Sequence, residues 1–180
     1  TAPCSAVPKK IGYTIVWPRL AQQIMIASLR SVDNEGNELW PMDIRDGYPF
    51  ERQELMDHLQ PVATPNPVVL TGDIHSNWAT DLKQDFDNEA STTIGSEFVC
   101  TSITSGGDGQ DMTDYGQALL NNNPHVKFYN AQRGYVAGTL TPEQWRSDYE
   151  VLPRVTEADA PILIRASYIT EAGRPGVLEA

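Results

Sequence analysis

The chain is short of cysteine, of basic charge and of long apolar runs, and each shortage closes a class of function. Cys4 and Cys100 are the only two cysteines in 180 residues, which excludes a disulfide-dense secreted scaffold and a thiolate-rich structural zinc site. Whether the two pair is left open by the sequence. Lys and Arg number 13 against 24 Asp and Glu, a formal net charge of −11. No basic stripe remains to neutralise a phosphate backbone, so a dedicated nucleic-acid-binding module is excluded. An anionic phosphate substrate would need metal cations or a local Arg to approach such a surface. No apolar run reaches the ~18–20 residues of a transmembrane segment, and Thr1 to Pro8 lacks the charged and apolar regions of a signal peptide. An initiator Met is also missing, so a processed chain or a fragment is expected. No internal repeat at periods of ~20–50 residues marks a solenoid or propeller.

What is present suffices for a core. A hydrophobic fraction of 40% rules out disorder for most of the chain, and the length suits one domain or one contiguous part of a larger one. Leu20 to Ala27 reads as a strand, followed by a polar turn at Asp33 to Glu38 and a long loop from Pro41 to Tyr48. Pro49 opens a helix whose apolar positions Phe50, Leu55, Met56 and Leu59 precede a stop at Pro61. Pro61 to Pro67 is a connector. Val68 to Thr71, bounded by Pro67 and Gly72, has the form of a central parallel strand covered on both faces. Glu97 to Ile103 is read as another strand, then a Gly-rich turn at Ser105 to Gly109 and a short helix at Tyr115 to Leu120 ended by Asn121 to Pro124. Strands are expected at 125–130, 134–140, 145–152 and 161–170, where Tyr, Phe, Val, Ile and Trp recur at period two. The expected class is α/β, dominated by mixed or antiparallel sheet.

The strongest chemical signal is Asp73 and His75, two residues apart where a buried strand meets a loop. In extended backbone such positions project to one side, so a carboxylate and an imidazole converge. Asp suits hard cations and His suits iron, zinc or manganese, which points to a hydrolytic metal centre. The alternative is structural: Gly72-Asp73 as a turn, with His75 bonded to backbone. Arg133 has two readings, a bidentate contact to a substrate phosphate or a pair with a structural carboxylate. Ser105 to Gly109 lacks the spacing and the Lys of a nucleotide loop and reads as a tight connection. His58 and His125 read as solvent or core histidines, and Cys100 as a small hydrophobe. Asp46 and Tyr48 are assigned to a turn opening the helix. Asp43 and Asp46 as a glycosidase pair is the weakest option, since the required opposed geometry does not follow from sequence.

Three ordered blocks carry a resemblance. Val69-Leu-Thr-Gly-Asp-Ile-His-Ser-Asn-Trp78, Glu97-Phe-Val-Cys-Thr-Ser-Ile-Thr-Ser-Gly-Gly-Asp-Gly109 and Asn123-Pro-His-Val-Lys-Phe-Tyr-Asn-Ala-Gln-Arg-Gly-Tyr-Val136 together resemble the C-terminal half of the alkaline phosphatase D (PhoD-like) family. PhoD-type secreted phospholipase D enzymes are relatives within it. The resemblance extends over about residues 20–170. Residues 1–19 stay unassigned, and 20–180 is expected to be the C-terminal part of a PhoD-like metallophosphoesterase domain, incomplete alone.

The fold the resemblance implies is α/β, a metallophosphoesterase-like sandwich of mixed sheets flanked by helices. The implied activity is hydrolysis of phosphate mono- or diesters at an iron and calcium centre outside the cytoplasm, secreted, periplasmic or wall-associated. By the same resemblance His75 ligates iron and Asp73 the neighbouring divalent ion, and the nucleophile is an oxygen activated by the cations. The family's other ligand blocks are missing from this sequence, so the resemblance implies a partner, the N-terminal half of the same enzyme as a separate chain, without which activity is lost. The reading that competes with it is a non-catalytic acidic β-rich module that stabilises a partner subunit.

Overall fold

Two sheets of unlike character share one core. The computed structural model describes residues 17–33, 35–60 and 65–180. Cys4 and any pairing it makes with Cys100, most of the N-terminal segment and part of the Pro61 to Pro67 connector lie outside the described residues. The elements run β1 (Arg19–Ala21), β2 (Ser31–Val32), β3 (Glu38–Leu39), a 3-10 turn (Arg45–Gly47), α1 (Pro49–His58), β4 (Val68–Thr71), β5 (Asn77–Lys83), β6 (Thr93–Val99), α2 (Asp114–Asn122), β7 (Val126–Asn130), β8 (Arg133–Leu140), β9 (Gln144–Leu152), β10 (Leu163–Glu171) and β11 (Arg174–Glu179). The first sheet is mixed, in the order β1-β4-β6-β5-β7, with β1, β4 and β6 parallel and β5 antiparallel to both its neighbours. The second is an antiparallel meander, β11-β10-β9-β8, and β2-β3 form a small ribbon. Among the described residues no helix is long and apolar enough to cross a membrane.

Alternation along each strand sets the layers. On β9, Trp145, Ser147, Tyr149 and Val151 are buried and the residues between them are half-exposed, so that sheet has one covered face. That face meets the mixed sheet through Tyr149, Tyr168 and Val177 packed on Val68, Ala79, Phe98 and Phe128. The other face of the mixed sheet presents Val69, Trp78, Leu82 and Val99 to α1, α2 and the segment Met25 to Leu29. The mixed sheet is therefore covered on both sides, as the apolar run of β4 requires. α2 approaches closely because Gly116 has no side chain; a Cβ there would lie 2.0 Å from the Tyr129 ring.

The segment after β1 departs from the expected strand. Leu20 to Ala27 shares the pattern of a buried strand, yet only its first residues pair; Met25, Ile26, Ala27 and Leu29 are fully buried in irregular backbone. Burial from all sides makes the same apolar run in a strand and in a packed coil. Its backbone groups still need partners, and side chains supply them. The Glu97 carboxylate accepts from Ile26 N at 2.7 Å and Ala27 N at 2.8 Å. Buried Asp46 accepts from Ser28 Oγ at 2.7 Å, from Leu29 N at 2.8 Å and from Arg52 of α1. Asn123 accepts from Arg30 N at 2.8 Å and donates to its carbonyl at 2.8 Å, and His125 Nε2 lies 2.7 Å from the Ser28 carbonyl.

Other boundaries move for related reasons. β6 is Thr93–Val99 rather than Glu97 to Ile103, and the polar-looking β5 is a central strand, since Asn77 and Thr80 are fully buried. Asp46 serves the turn before α1 as expected, while Asp43 stands exposed, so the two are not a pair of working carboxylates. His58 lies exposed on α1 with Nδ1 2.8 Å from the Glu54 carbonyl, and half-buried Cys100 has its thiol pushed up by burial.

Burial pushes the Glu97 carboxyl up to about 7, with the Ile26 and Ala27 N–H groups and the Thr71 hydroxyl opposing the rise. Between about 4.5 and 7 the folded chain thus holds a proton that the unfolded chain has released, so this group's stabilising contribution is complete below 4.5 and is lost as pH rises through 7. Glu97→Gln sets an amide N–H2 against one of the two backbone donors, an expected loss of ~1–3 kcal/mol. Urea unfolding across this range checks both points: the stability gap between parent and variant is expected to be widest at the acid end and to narrow toward neutrality.

Candidate functional site

Four strand ends meet at one edge of the mixed sheet. β4 and β6 run parallel and leave it there, β5 enters it, and β7 ends beside β5 with Asn130 opposite Asn77. Open α/β sheets place their ligands outside the carboxyl ends of parallel strands. Three connections therefore crowd together: residues 72–76, the Gly-rich stretch 100–113, and the short turn at Ala131 and Gln132.

Asp73 and His75 occupy the first connection, and the backbone there is not extended. Both residues have positive φ, 70° at Asp73 and 57° at His75, and Ile74 N donates to the Gly72 carbonyl at 2.9 Å across a tight bend. The expectation that i and i+2 project together from extended chain is corrected; the bend, not strand alternation, sets the two side chains. A left-handed residue with a Cβ costs about 1–2 kcal/mol, and such strain persists only where the surroundings hold it. Asp73 and His75 are exposed, and neither side chain has a hydrogen bond or ion pair among the described residues.

The neighbouring acids differ. Asp108 accepts from Val155 N at 2.8 Å, Thr156 N at 2.9 Å and the Thr156 hydroxyl, which hold its carboxyl below the usual range. Asp111 is lowered by its two contacts with Arg165, at 2.5 and 3.0 Å, and also accepts from Asn130 at 2.8 Å. Those acids are committed to the fold, whereas Asp73 is available.

Arg133 opens β8 beneath the same edge and is buried. Its guanidinium is spent on main-chain oxygens and a hydroxyl rather than on the structural carboxylate that was one of its two readings. Nε donates to the Gly107 carbonyl at 2.9 Å; Nη1 donates to the carbonyls of His75 at 2.7 Å and Ala131 at 3.2 Å and to Thr101 Oγ1 at 3.4 Å. No carboxylate among the described residues pairs with it. Asn77 braces the same place: its side chain accepts from Thr101 N at 3.1 Å and donates to Asn130 Oδ1 at 3.2 Å. Sequence reasoning passed over Asn77, Thr101 and Asn130; the one signal was Asn130 closing the apolar run of β7, where a buried amide demands partners.

An exposed carboxylate and an exposed imidazole two residues apart, both without partners among the described residues, are donor types that suit iron, zinc or manganese together with calcium. No group of three or more His, Cys, Asp or Glu among the described residues is placed to hold a metal ion. The pair is a fraction of a ligand set. A separate cavity of about 430 Å³ lies around Lys83, His125 and Lys127, at the far end of β5 from these residues.

The model of the PhoD-like phosphatase family matches residues 9–149. The chain belongs to the PhoD-like phosphatase family. It is 43% identical over 164 residues to alkaline phosphatase D of Bacillus subtilis (strain 168), a match covering 91% of this chain and 28% of that protein. A solved structure described as the structure of PhoD superposes with a TM-score of 0.84 at 42% identity, over 92% of this chain and 31% of that one. The chain thus spans less than a third of the length of these PhoD relatives, and its mixed α/β architecture of packed sheets with few helices is theirs.

The glycines of the second connection offer a graded test of how tightly this edge is built. Gly107, at φ 73°, has open space where a Cβ would go, whereas a Cβ on Gly109, at φ 71°, would stand 2.0 Å from the Ala131 carbonyl oxygen. Gly107→Ala is expected to cost about 1–2 kcal/mol from backbone strain alone. Gly109→Ala should cost more than about twice that, because main chain has to move; thermal unfolding of the two variants measures the difference.

Proposed function

We propose that this chain supplies two ligands, Asp73 and His75, to a metal centre that hydrolyses phosphate mono- or diesters, phospholipid diesters included. The observation that carries the reading is the strained bend at the carboxyl end of β4, which holds an available carboxylate and an available imidazole while the other acids of that edge are tied to the fold. Family membership and the likeness to alkaline phosphatase D support the same reaction class. In the family pattern His75 goes to iron and Asp73 to a neighbouring calcium, with zinc or manganese as the substitutes an imidazole accepts.

Cations bound there offset the charge on the phosphate oxygens and raise the acidity of water. The chain's own residues hold the donors still and leave them open to the surface. At a net charge of −11 the chain repels an anionic ester, so positive charge at this edge is also a condition of binding. The remaining ligands come from polypeptide corresponding to the rest of the relatives' length, more than two-thirds of it, outside this chain. Its contact surface includes the exposed apolar side chains of Phe50 and of Ile162 to Ile164. The working compartment is outside the cytoplasm, secreted, periplasmic or wall-associated.

Metal content and turnover of nitrophenyl phosphate and bis-nitrophenyl phosphate by the assembled protein test this. Chelation is expected to abolish both hydrolyses, and His75→Ala to lower iron affinity by more than the ~10–100-fold that loss of an outer partner costs. Metal content indifferent to His75→Ala would return the chain to the role of an acidic β-rich module that stabilises a partner subunit.

A further inference from the structure

We infer that Arg133 is a positioning residue for the ligand loop, clamping the His75 main chain to the Gly-rich connection so that the imidazole is presented for metal capture. The inference rests on the reading of His75 as a ligand. A guanidinium carries five N–H donors in a rigid plane, and here they span all three connections of the sheet edge: Gly106 and Gly107 in one, His75 in another, Ala131 in the third. Its shortest contact is the one from Nη1 to the His75 carbonyl, at 2.7 Å. That carbonyl belongs to the peptide following His75, so its direction sets the ψ angle of a residue already held at φ 57°. Arg133 thereby acts on the strained backbone that aims the imidazole.

The connection is shaped around the guanidinium. A Cβ on Gly106, at φ 86°, would come within 2.8 Å of Nη2, so only glycine lets the turn close over it. The charge itself works against a neighbouring cation, and the oxygens turned toward the guanidinium offset it without a carboxylate. What Arg133 contributes is therefore the fork and not the charge. A lysine keeps the charge but concentrates its donors at one point and cannot bridge three connections.

Arg133→Lys isolates that geometry. Iron affinity is measured by competition with a chelator in the assembled parent protein, in Arg133→Lys, in His75→Ala and in the double variant, with urea unfolding in parallel. The expected result is a loss of roughly 10–100-fold in Arg133→Lys and no more than about a twofold further loss when the same change is made in His75→Ala, because residues acting through one another are not additive. Gly106→Ala, which crowds Nη2 while keeping the arginine, is expected to weaken iron binding in the same non-additive way and serves if the lysine variant does not fold. Glu97→Gln weakens the core without contacting residues 72–76 and gives the affinity change that destabilisation alone produces. Parent-like iron affinity in Arg133→Lys, a loss no larger than that of Glu97→Gln, or an equal loss in both backgrounds overturns the positioning role while leaving His75 a ligand. Parent-like affinity in His75→Ala overturns the ligand reading and this inference with it.

Discussion

One carboxylate in the middle of the mixed sheet determines what the rest of the chain is able to do. Glu97 on β6 is fully buried and turns both oxygens toward the backbone of Ile26 and Ala27. Without it, an irregular stretch in the core would keep two unpaired N–H groups, each costing about as much as a lost hydrogen bond. With it, Met25 to Leu29 cover one face of the sheet without forming a strand. Asp46, Asn123 and His125 complete the same task from the turn before α1, the end of α2 and the start of β7. That covering layer reaches the functional edge directly, since Gly72 N donates to the Gln23 carbonyl at 3.1 Å, one residue before the bend that carries Asp73.

The functional edge uses the same device with the opposite sign. There a buried cation, Arg133, collects main-chain oxygens as Glu97 collects main-chain N–H groups. In both places a charged side chain replaces regular ladder pairing where the chain is irregular and dry. A charge inside a protein is costly unless surrounded by hydrogen-bonding partners; main-chain oxygens surround Arg133, while at Glu97 burial outweighs the donors and raises the carboxyl to about 7. The consequence at the edge is rigidity without closure: the connections are locked to one another, while the donors of Asp73 and His75 remain at the surface.

That arrangement accords with a chain covering less than a third of its PhoD relatives. On the proposed reading, Asp73 and His75 on this firm platform are the share of a common centre that one part would provide, and the exposed apolar residues Phe50, Ile103 and Ile162 to Ile164 are what a further polypeptide would cover. Under the proposed function, the acidic balance of the chain would give cations at this edge a second role, as the charge that lets a phosphate ester approach.

Much of this was legible in the sequence because local pattern and burial agreed. Val68 to Thr71 read as a doubly covered parallel strand, Pro49 as a helix start, and the alternation at 145–152 as a strand with one buried face; these are periodic signals of short range. Asp73 and His75 were legible as polar residues just past a strand end. Their left-handed backbone was not, because positive φ in a residue with a Cβ is imposed by neighbours distant in the chain and leaves no local mark. The same holds for Leu20 to Ala27, where an apolar run fixes burial but not whether ladder or side chain satisfies the backbone. It holds for Glu97, Asp46 and Arg133, each of which has a main-chain partner between 17 and 71 residues away. Sequence alone determined the class of fold and which residues are candidates for chemistry, since those follow from side-chain type and period. Only the tertiary structure decided which charges were consumed in holding backbone and which were left open to a ligand, because that depends on long-range hydrogen bonding that no single stretch of chain contains.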